Sequence, residues 1–166
     1  LGTFAMMCYS IIHCGTLRRA LSRGARFYGL VTDDFRIGFR QEGDKAILSV
    51  VGLNPDHDPE HFIAESLLMI WHGLGSWLVN KRIPLLEARF AYPPPAHAEE
   101  YRALFFAPMA FEAGETAVVF STSLLDLPIV QSETSLKDFL LTSPARLLVK
   151  LKNDTSLTAQ IRQILR

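Results

Sequence analysis

His57 and His61 stand four apart, the spacing at which two imidazoles on one helix face share a metal ion. Pro59 lies between them, and proline belongs to the first turn of a helix. His57 then precedes the helix start, so a solvated turn followed by a first helical turn is the simpler reading. Cys8, His13 and Cys14 form a second nitrogen and sulfur cluster, but in apolar sequence, where cysteine serves as a small buried hydrophobe. The two cysteines are six apart in a stretch that reads as helical, hence on different faces. No bridge is expected, and a reduced cytoplasmic setting fits. His72, beside Trp71, has the chemistry to ligate haem or hydrogen-bond an effector, or to sit in the core satisfied by a carbonyl. Glu65, Glu87 and Glu112 offer carboxylates for acid–base work but fall on separate elements. The sequence has no Gly-rich phosphate loop after a strand, no G-x-S-x-G, no H-E-x-x-H and no paired C-x-x-C. That weakens an enzymatic reading, and neither metal nor cofactor is expected.

The elements that must position these residues follow from hydrophobic periodicity. Residues 3–13 are mostly apolar, Gly15-Thr16 punctuates, and Leu17, Leu21, Ala25 and Tyr28 recur at helical spacing, which predicts two helices with Thr16 as N-cap and Gly29 near the end. The period then becomes two: Phe35, Ile37 and Phe39 alternate with Arg36, Gly38 and Arg40, and residues 46–51 follow as the second arm of a hairpin. Asp58 is placed to cap a helix whose first residue is Pro59 and which runs to about Lys81. Its stripe is Ile63, Leu67, Ile70, Leu74 and Trp77, widened by Leu68, Trp71 and Leu78, so one long helix is expected to be buried over most of its girth.

Leu86, Ala88, Phe90 and Tyr92 predict a third strand, stopped by Pro93-Pro94-Pro95. A short helix over 96–106 and a second hairpin, 109–112 with 116–121, come next. Short helices at 123–127 and 136–141 follow, then an ambiguous 145–152 and an amphipathic start over 157–166. Strands that come in hairpins favour an antiparallel sheet with helices packed on it, an α+β class.

Composition limits the partners. With 166 residues, 49% of them hydrophobic, the chain is able to bury one sizeable core. Lys plus Arg equals Asp plus Glu at 17 each, so no net field attracts nucleic acid or an anionic membrane, and Arg18, Arg19, Arg23 and Arg26 read most simply as a solvated helix face. The apolar run from Leu67 to Trp71 ends at His72, far short of a membrane span. Starting on Leu1 and stopping in mid-pattern, the chain reads as a fragment. A broad apolar helix against an aromatic sheet suits a small-molecule pocket, for which Arg36, Phe39, Trp71, His72 and Arg89 are the candidate ligand-binding residues. Arg36 or Arg89 would grip a ligand carboxylate bidentately, although a strand arginine facing solvent is the plainer reading.

A run of motifs carries more. Arg89-Phe90 ends a strand, Pro93-Pro94-Pro95-Ala96-His97 has the form P-x-P-x-H, Glu100-Tyr101 lies on a helix, and Phe105 with Pro108 makes F-x-x-P. Phe111, the apolar strand 117–120 and Leu124-Leu125-Asp126-Leu127-Pro128 continue the order, and Thr16-Leu17-Arg18-Arg19-Ala20-Leu21 fits T-L-x-x-A-L near the start. Together these resemble the AraC/XylS family of transcription regulators, in the subfamily whose amino-terminal region is of the arabinose-binding type and whose members include regulators resembling the ornithine-utilisation regulator. The resemblance covers nearly the whole chain, most specifically residues 84–128. Thr116 stands where members often have Asn, and Phe106-Ala107 where they often have Gly-Cys, so pocket details do not transfer.

What the resemblance implies is a sensor. Residues 1–152 would be the effector-sensing domain and 153–166 a linker with the start of the first helix of a helix-turn-helix DNA-binding domain. A small-molecule effector, homodimerisation, promoter DNA reached only through the C-terminal domain, no membrane and no catalytic residue are the expectations. The alternatives are a small enzyme with an apolar pocket and a haem-type sensor using His72.

Overall fold

The computed structural model describes residues 2–142; the sequence readings at 145–152 and 157–166, and the boundary at 152/153, lie outside the described residues. Two helices open the chain, α1 (Thr3–Ile11) and α2 (Leu17–Val31). Gly15 breaks them at φ +80, where a side chain would be strained, and the Thr16 hydroxyl accepts from the Arg19 amide as N-cap. The remaining orphan amides at the head of α2 are met by the Leu-rich motif far down the chain: Leu17 N–H donates to Leu127 O at 3.0 Å and Arg18 N–H to Leu125 O at 2.8 Å. Leu125 itself is fully buried.

Strands β1 (Arg36–Glu42) and β2 (Lys45–Val51) form the expected hairpin, closing at Glu42 opposite Lys45 with Gly43 at φ +59. Helix α3 (Phe62–Leu78) follows, and no residue along it is exposed. It begins later and ends earlier than its periodicity suggests. His61 takes φ 60 and Asn80 φ 49, and Lys81 N–H closes back on Ser76 O at 3.0 Å in the six-to-one pattern that terminates helices. Asp58 caps from a distance: its carboxylate accepts from Ile63 N–H at 2.9 Å and Ala64 N–H at 3.0 Å while 4% exposed. The deepest residues are Ala64, Leu68, Trp71, Leu74, Gly75 and Leu78, so Leu74 and the expected widening by Leu68, Trp71 and Leu78 lie in the core, while Ile63, Leu67, Ile70 and Trp77 of the predicted stripe are only half-buried. A helix covered all round carries too little polar contrast for sequence to say which face lies deepest.

The sheet continues with β3 (Leu85–Arg89), β4 (Met109–Ala110) and β5 (Thr116–Ser121), with α4 (Ala98–Phe105) between β3 and β4 and α5 (Glu133–Thr142) after β5. Its order is β1-β2-β5-β3-β4. The predicted hairpin of 109–112 with 116–121 is therefore not formed: β5 pairs antiparallel with β2 and β3, while the two-residue β4 lies parallel on the outer edge of β3. The run Ala117-Val118-Val119-Phe120 is buried on both faces, as a central strand requires. Glu112, at φ 53, turns the chain, and its N–H and that of Ala113 donate to Tyr92 O and Phe90 O, both at 2.9 Å. A bulge between Leu85 and Glu87 likewise leaves Leu86 exposed while Ala88 and Phe90 point into the core.

Gly24 on α2 is set by packing. A methyl there would stand 2.7 Å from Trp71 Cη2 and 3.2 Å from Met7 Sδ, whereas at Gly29 on the same helix nothing lies within 4 Å. Gly24→Ala is expected to cost about 1–3 kcal/mol through overpacking. Gly29→Ala is expected to gain about 0.5–1 kcal/mol from helix propensity. Urea unfolding of the two variants checks both signs; equal midpoints would mean that α2 backs away from α3 freely.

Candidate functional site

The structure does not gather the five candidate ligand residues at one point. Trp71, 1% exposed, fills the core between α3 and α2, with its ring 5.8 Å from that of Tyr28. His72 places Nε2 2.8 Å from the Ile83 carbonyl, and the Ser76 hydroxyl accepts from Ile83 N–H at 3.2 Å, so two side chains of α3 hold both backbone groups of the residue leading into β3. Phe39 is half-buried on the helix-covered side of β1. Arg36 is exposed one residue before core-facing Ile37, on the opposite face by strand alternation.

Arg89 lies on that opposite face within a chain of charges. Its Nε donates to Glu87 at 2.9 Å and its Nη1 to Glu115 at 3.1 Å, while Arg40 meets both oxygens of Glu115 at 2.7 Å and Glu42 at 2.7 Å. Strand register sets this network beside Ile47, Ala117 and Val119, a small apolar group fully buried on the same face. Arg40 and Arg89 hold the Glu115 carboxyl below the usual carboxylate range.

The polar group that does converge in the interior is Glu65, the one acid on α3. The hydroxyls of Tyr92 and Tyr101 both donate to its Oε1. No donor among the described residues reaches Oε2. Tyr92 and Tyr101 are 7% and 2% exposed, the His61 ring stacks on Tyr92 at 3.7 Å between centroids, and His97 lies 5.5 Å from the Tyr101 ring. Phe90, Phe105 and Phe111 complete an aromatic box, with Phe90 to Phe111 at 5.1 Å and Phe90 to Tyr101 at 5.1 Å. Burial raises the Glu65 pKa above its ordinary value, against the hydrogen bonds from Tyr101 and Tyr92 and the pull of His97. Burial, then the facing carboxyl, pushes both tyrosines up, so they remain donors.

The parts come from motifs already noticed, in roles sequence did not assign. The P-x-P-x-H turn brings His97 to Tyr101, and the E-Y helix is α4, whose Tyr101 faces Glu65. The signal for Glu65 in the sequence is a single carboxylate in a mostly apolar helix. Beside the box, Pro94, Ala98, Arg102, Pro108 and Phe111 line a depression of about 490 Å³, so Phe111 is a wall shared by surface and interior.

The fold is thus an α+β domain with a polar group set among aromatic rings. A family model described as the arabinose-binding domain of AraC transcription regulators, N-terminal, matches residues 1–129, and the chain belongs to that family. The ornithine utilization regulator of Pseudomonas aeruginosa is 22% identical over 157 residues, covering 95% of this chain and 46% of the relative. The crystal structure of the transcriptional regulator CdpR from Pseudomonas aeruginosa matches with a TM-score of 0.48 and 15% identity, covering 89% of this chain and 49% of that one. The chain thus spans about half the length of these relatives. Among the described residues no helix is long and apolar enough to cross a membrane.

Two titrations of opposite sign follow. Glu115 is held below the ordinary 4.5, so the stability it contributes is present above that value and is lost as pH falls through its lowered one. Glu115→Gln should cost about 1 kcal/mol at neutral pH, less in molar salt and little in acid. Glu65 is raised above 4.5, so its contribution is full below that value and is lost as pH rises through its raised one. Glu65→Gln, which imitates the protonated form, should match the parent near pH ~4 and exceed it near pH ~8. Chemical denaturation across pH reads both; equal loss in Glu65→Gln at every pH would make the carboxyl a purely structural acceptor.

Proposed function

We propose that this chain is the effector-sensing half of an AraC-type regulator and that its effector is an organic cation received by Glu65. The observation that carries this reading is a half-buried carboxyl beside a box of aromatic rings, with one oxygen that no donor among the described residues reaches. Ring faces carry negative potential, so an ionised Glu65 there favours a positive partner twice over, by ion pairing and by cation–π attraction. A protonated amine would bind Oε2 and lower the cost that burial now imposes on the charged carboxyl. Phe111 stands between the surface depression and the box, so an effector entering from that side would displace its ring. One relative is named for ornithine utilization, and ornithine bears amino groups. On this reading Phe39, Trp71, His72 and Arg89 support the sheet and core around the site, and Arg36 lies exposed at the start of β1.

On the same reading, residues 1–152 form the sensor and 153–166 begin the link to a helix-turn-helix domain. Helix α3 runs from Glu65 near its head to Trp77, whose ring stacks on Phe139 of α5 at 4.2 Å. Effector binding that favours one packing of α3 on its neighbours would bias α5 and the chain beyond it, and only this difference in affinity between two arrangements has the means to alter DNA binding. Met6 and Tyr9, 64% and 41% exposed on α1, are among the apolar residues available to a homodimer, while Ile12 is turned into the core at 3%.

Thermal unfolding with ornithine and putrescine tests the site. A cation at a hundred times its Kd should stabilise the fold by about 2.7 kcal/mol. Glu65→Gln should abolish the shift. Absence of any amine-dependent shift, or a shift that survives Glu65→Gln, would overturn the assignment. The chain by itself is expected to give no sequence-specific retardation of operator DNA at physiological salt.

A further inference from the structure

We infer that the groove between α1 and α2 is a second binding site, one for an organic anion with a compact oxyanion head and an apolar body. Arg19, Arg23 and Arg26 recur at i, i+4 and i+7, one face of α2, and all three line a groove of about 690 Å³. Other cations nearby are engaged: Arg18 reaches Gln41 at 2.6 Å and Asp126 at 3.3 Å, and His13 meets Glu133 at 2.9 Å. Among the described residues no carboxylate pairs with Arg19, Arg23 or Arg26, and the Arg23 guanidinium donates only to the Ser10 carbonyl at 3.2 Å. On the outer sheet face, by contrast, Arg40 and Arg89 are each met by two carboxylates. In a chain of zero formal net charge, three uncompensated guanidinium groups on one wall are a concentration of positive potential. It reaches the groove floor, since Arg23 and Arg19 both pull down the Cys14 thiol pKa, although burial keeps it raised overall.

The rest of the lining sets the ligand's shape. Phe27 and Leu30, the latter 85% exposed, continue the groove past Arg26 as an apolar wall, and Ser22 offers a hydroxyl among the arginines. The volume falls in the roughly 300–1,000 Å³ range of small-molecule sites. Nucleic acid fits less well, because Arg19 and Arg26 are only about 10 Å apart along the helix at ~1.5 Å per residue. A duplex-binding surface usually spreads about six to ten phosphate contacts over a longer track. The head group is therefore a carboxylate or phosphate held by guanidinium forks, with a hydrocarbon body along Phe27 and Leu30.

This inference is independent of the Glu65 assignment. Calorimetric titration of the chain with octanoate, octyl phosphate, inorganic phosphate and octanol, all below micellar concentration, tests it. Octanoate or octyl phosphate should bind, whichever is tighter naming the head, with inorganic phosphate and octanol at least tenfold weaker. Arg26→Gln alone, which breaks no contact, should weaken the amphiphile about tenfold, and Arg23→Gln with Arg26→Gln should abolish binding, while Glu65→Gln leaves it unchanged. Three results would overturn it: neither amphiphile binds, binding survives the double variant with its melting temperature intact, or a random-sequence duplex at physiological salt binds in their place and is lost in that variant.

Discussion

The structure is organised by one requirement: a seventeen-residue helix with no exposed side must satisfy every polar group it carries from inside the protein. Asp58 supplies acceptors for the amides of Ile63 and Ala64, and Ser76 and His72 spend their polar atoms on Ile83, which fixes where β3 begins. Gly24 lets α2 approach until it touches Trp71. Each of these meets a demand that burial of α3 creates, and together they place the sheet, α2 and the β3 entry around one axis.

Charge is handled in two ways. On the outer sheet face, Glu42, Arg40, Glu115, Arg89 and Glu87 alternate in sign and answer one another beside Ile47, Ala117 and Val119. Such a network is partly exposed, so its value is a modest stabilisation and a fixed register for the strands it joins. On α2, Arg18 pairs with Asp126, but among the described residues Arg19, Arg23 and Arg26 have no carboxylate partner. A fold that neutralises arginines in one place and not in another makes the second arrangement chemically available.

Much of the architecture could be read from periodicity because the segments concerned are half-buried. The β1–β2 hairpin alternates cleanly, and α2 has a strongly polar face, so their patterns state which side meets the core. The readings failed where contrast vanished. On α3 periodicity finds Leu68, Trp71, Leu74 and Leu78 but ranks Ile63, Leu67, Ile70 and Trp77 too deep because all sides are covered, and a strand buried on both faces, as β5 is, says nothing about its neighbours. The adjacency of 109–112 and 116–121 suggested a hairpin, but a doubly apolar strand belongs at the centre of a sheet and β4 has only two residues to offer. Of the interior site, Tyr101 and His97 lay within motifs that were noticed, and Glu65 was noted only as a carboxylate on its own element. Their meeting depends on a helix, a strand exit and a proline-rich turn arriving at one point, which no local pattern records.

Asp58 and Glu65 show why burial alone does not define a site. Both are acids at the head of α3, and both are largely withdrawn from water. Asp58 has a backbone amide for each oxygen, so its charge is matched by the positive end of the helix and its role is complete within the fold. Glu65 receives two donors on one oxygen and, among the described residues, none on the other, and its surroundings are rings whose faces repel negative charge. The first arrangement is at an electrostatic minimum without any further partner. The second has an oxygen left for a proton, water or a cation to satisfy, and on the proposed reading that difference separates a structural carboxylate from one with capacity to bind.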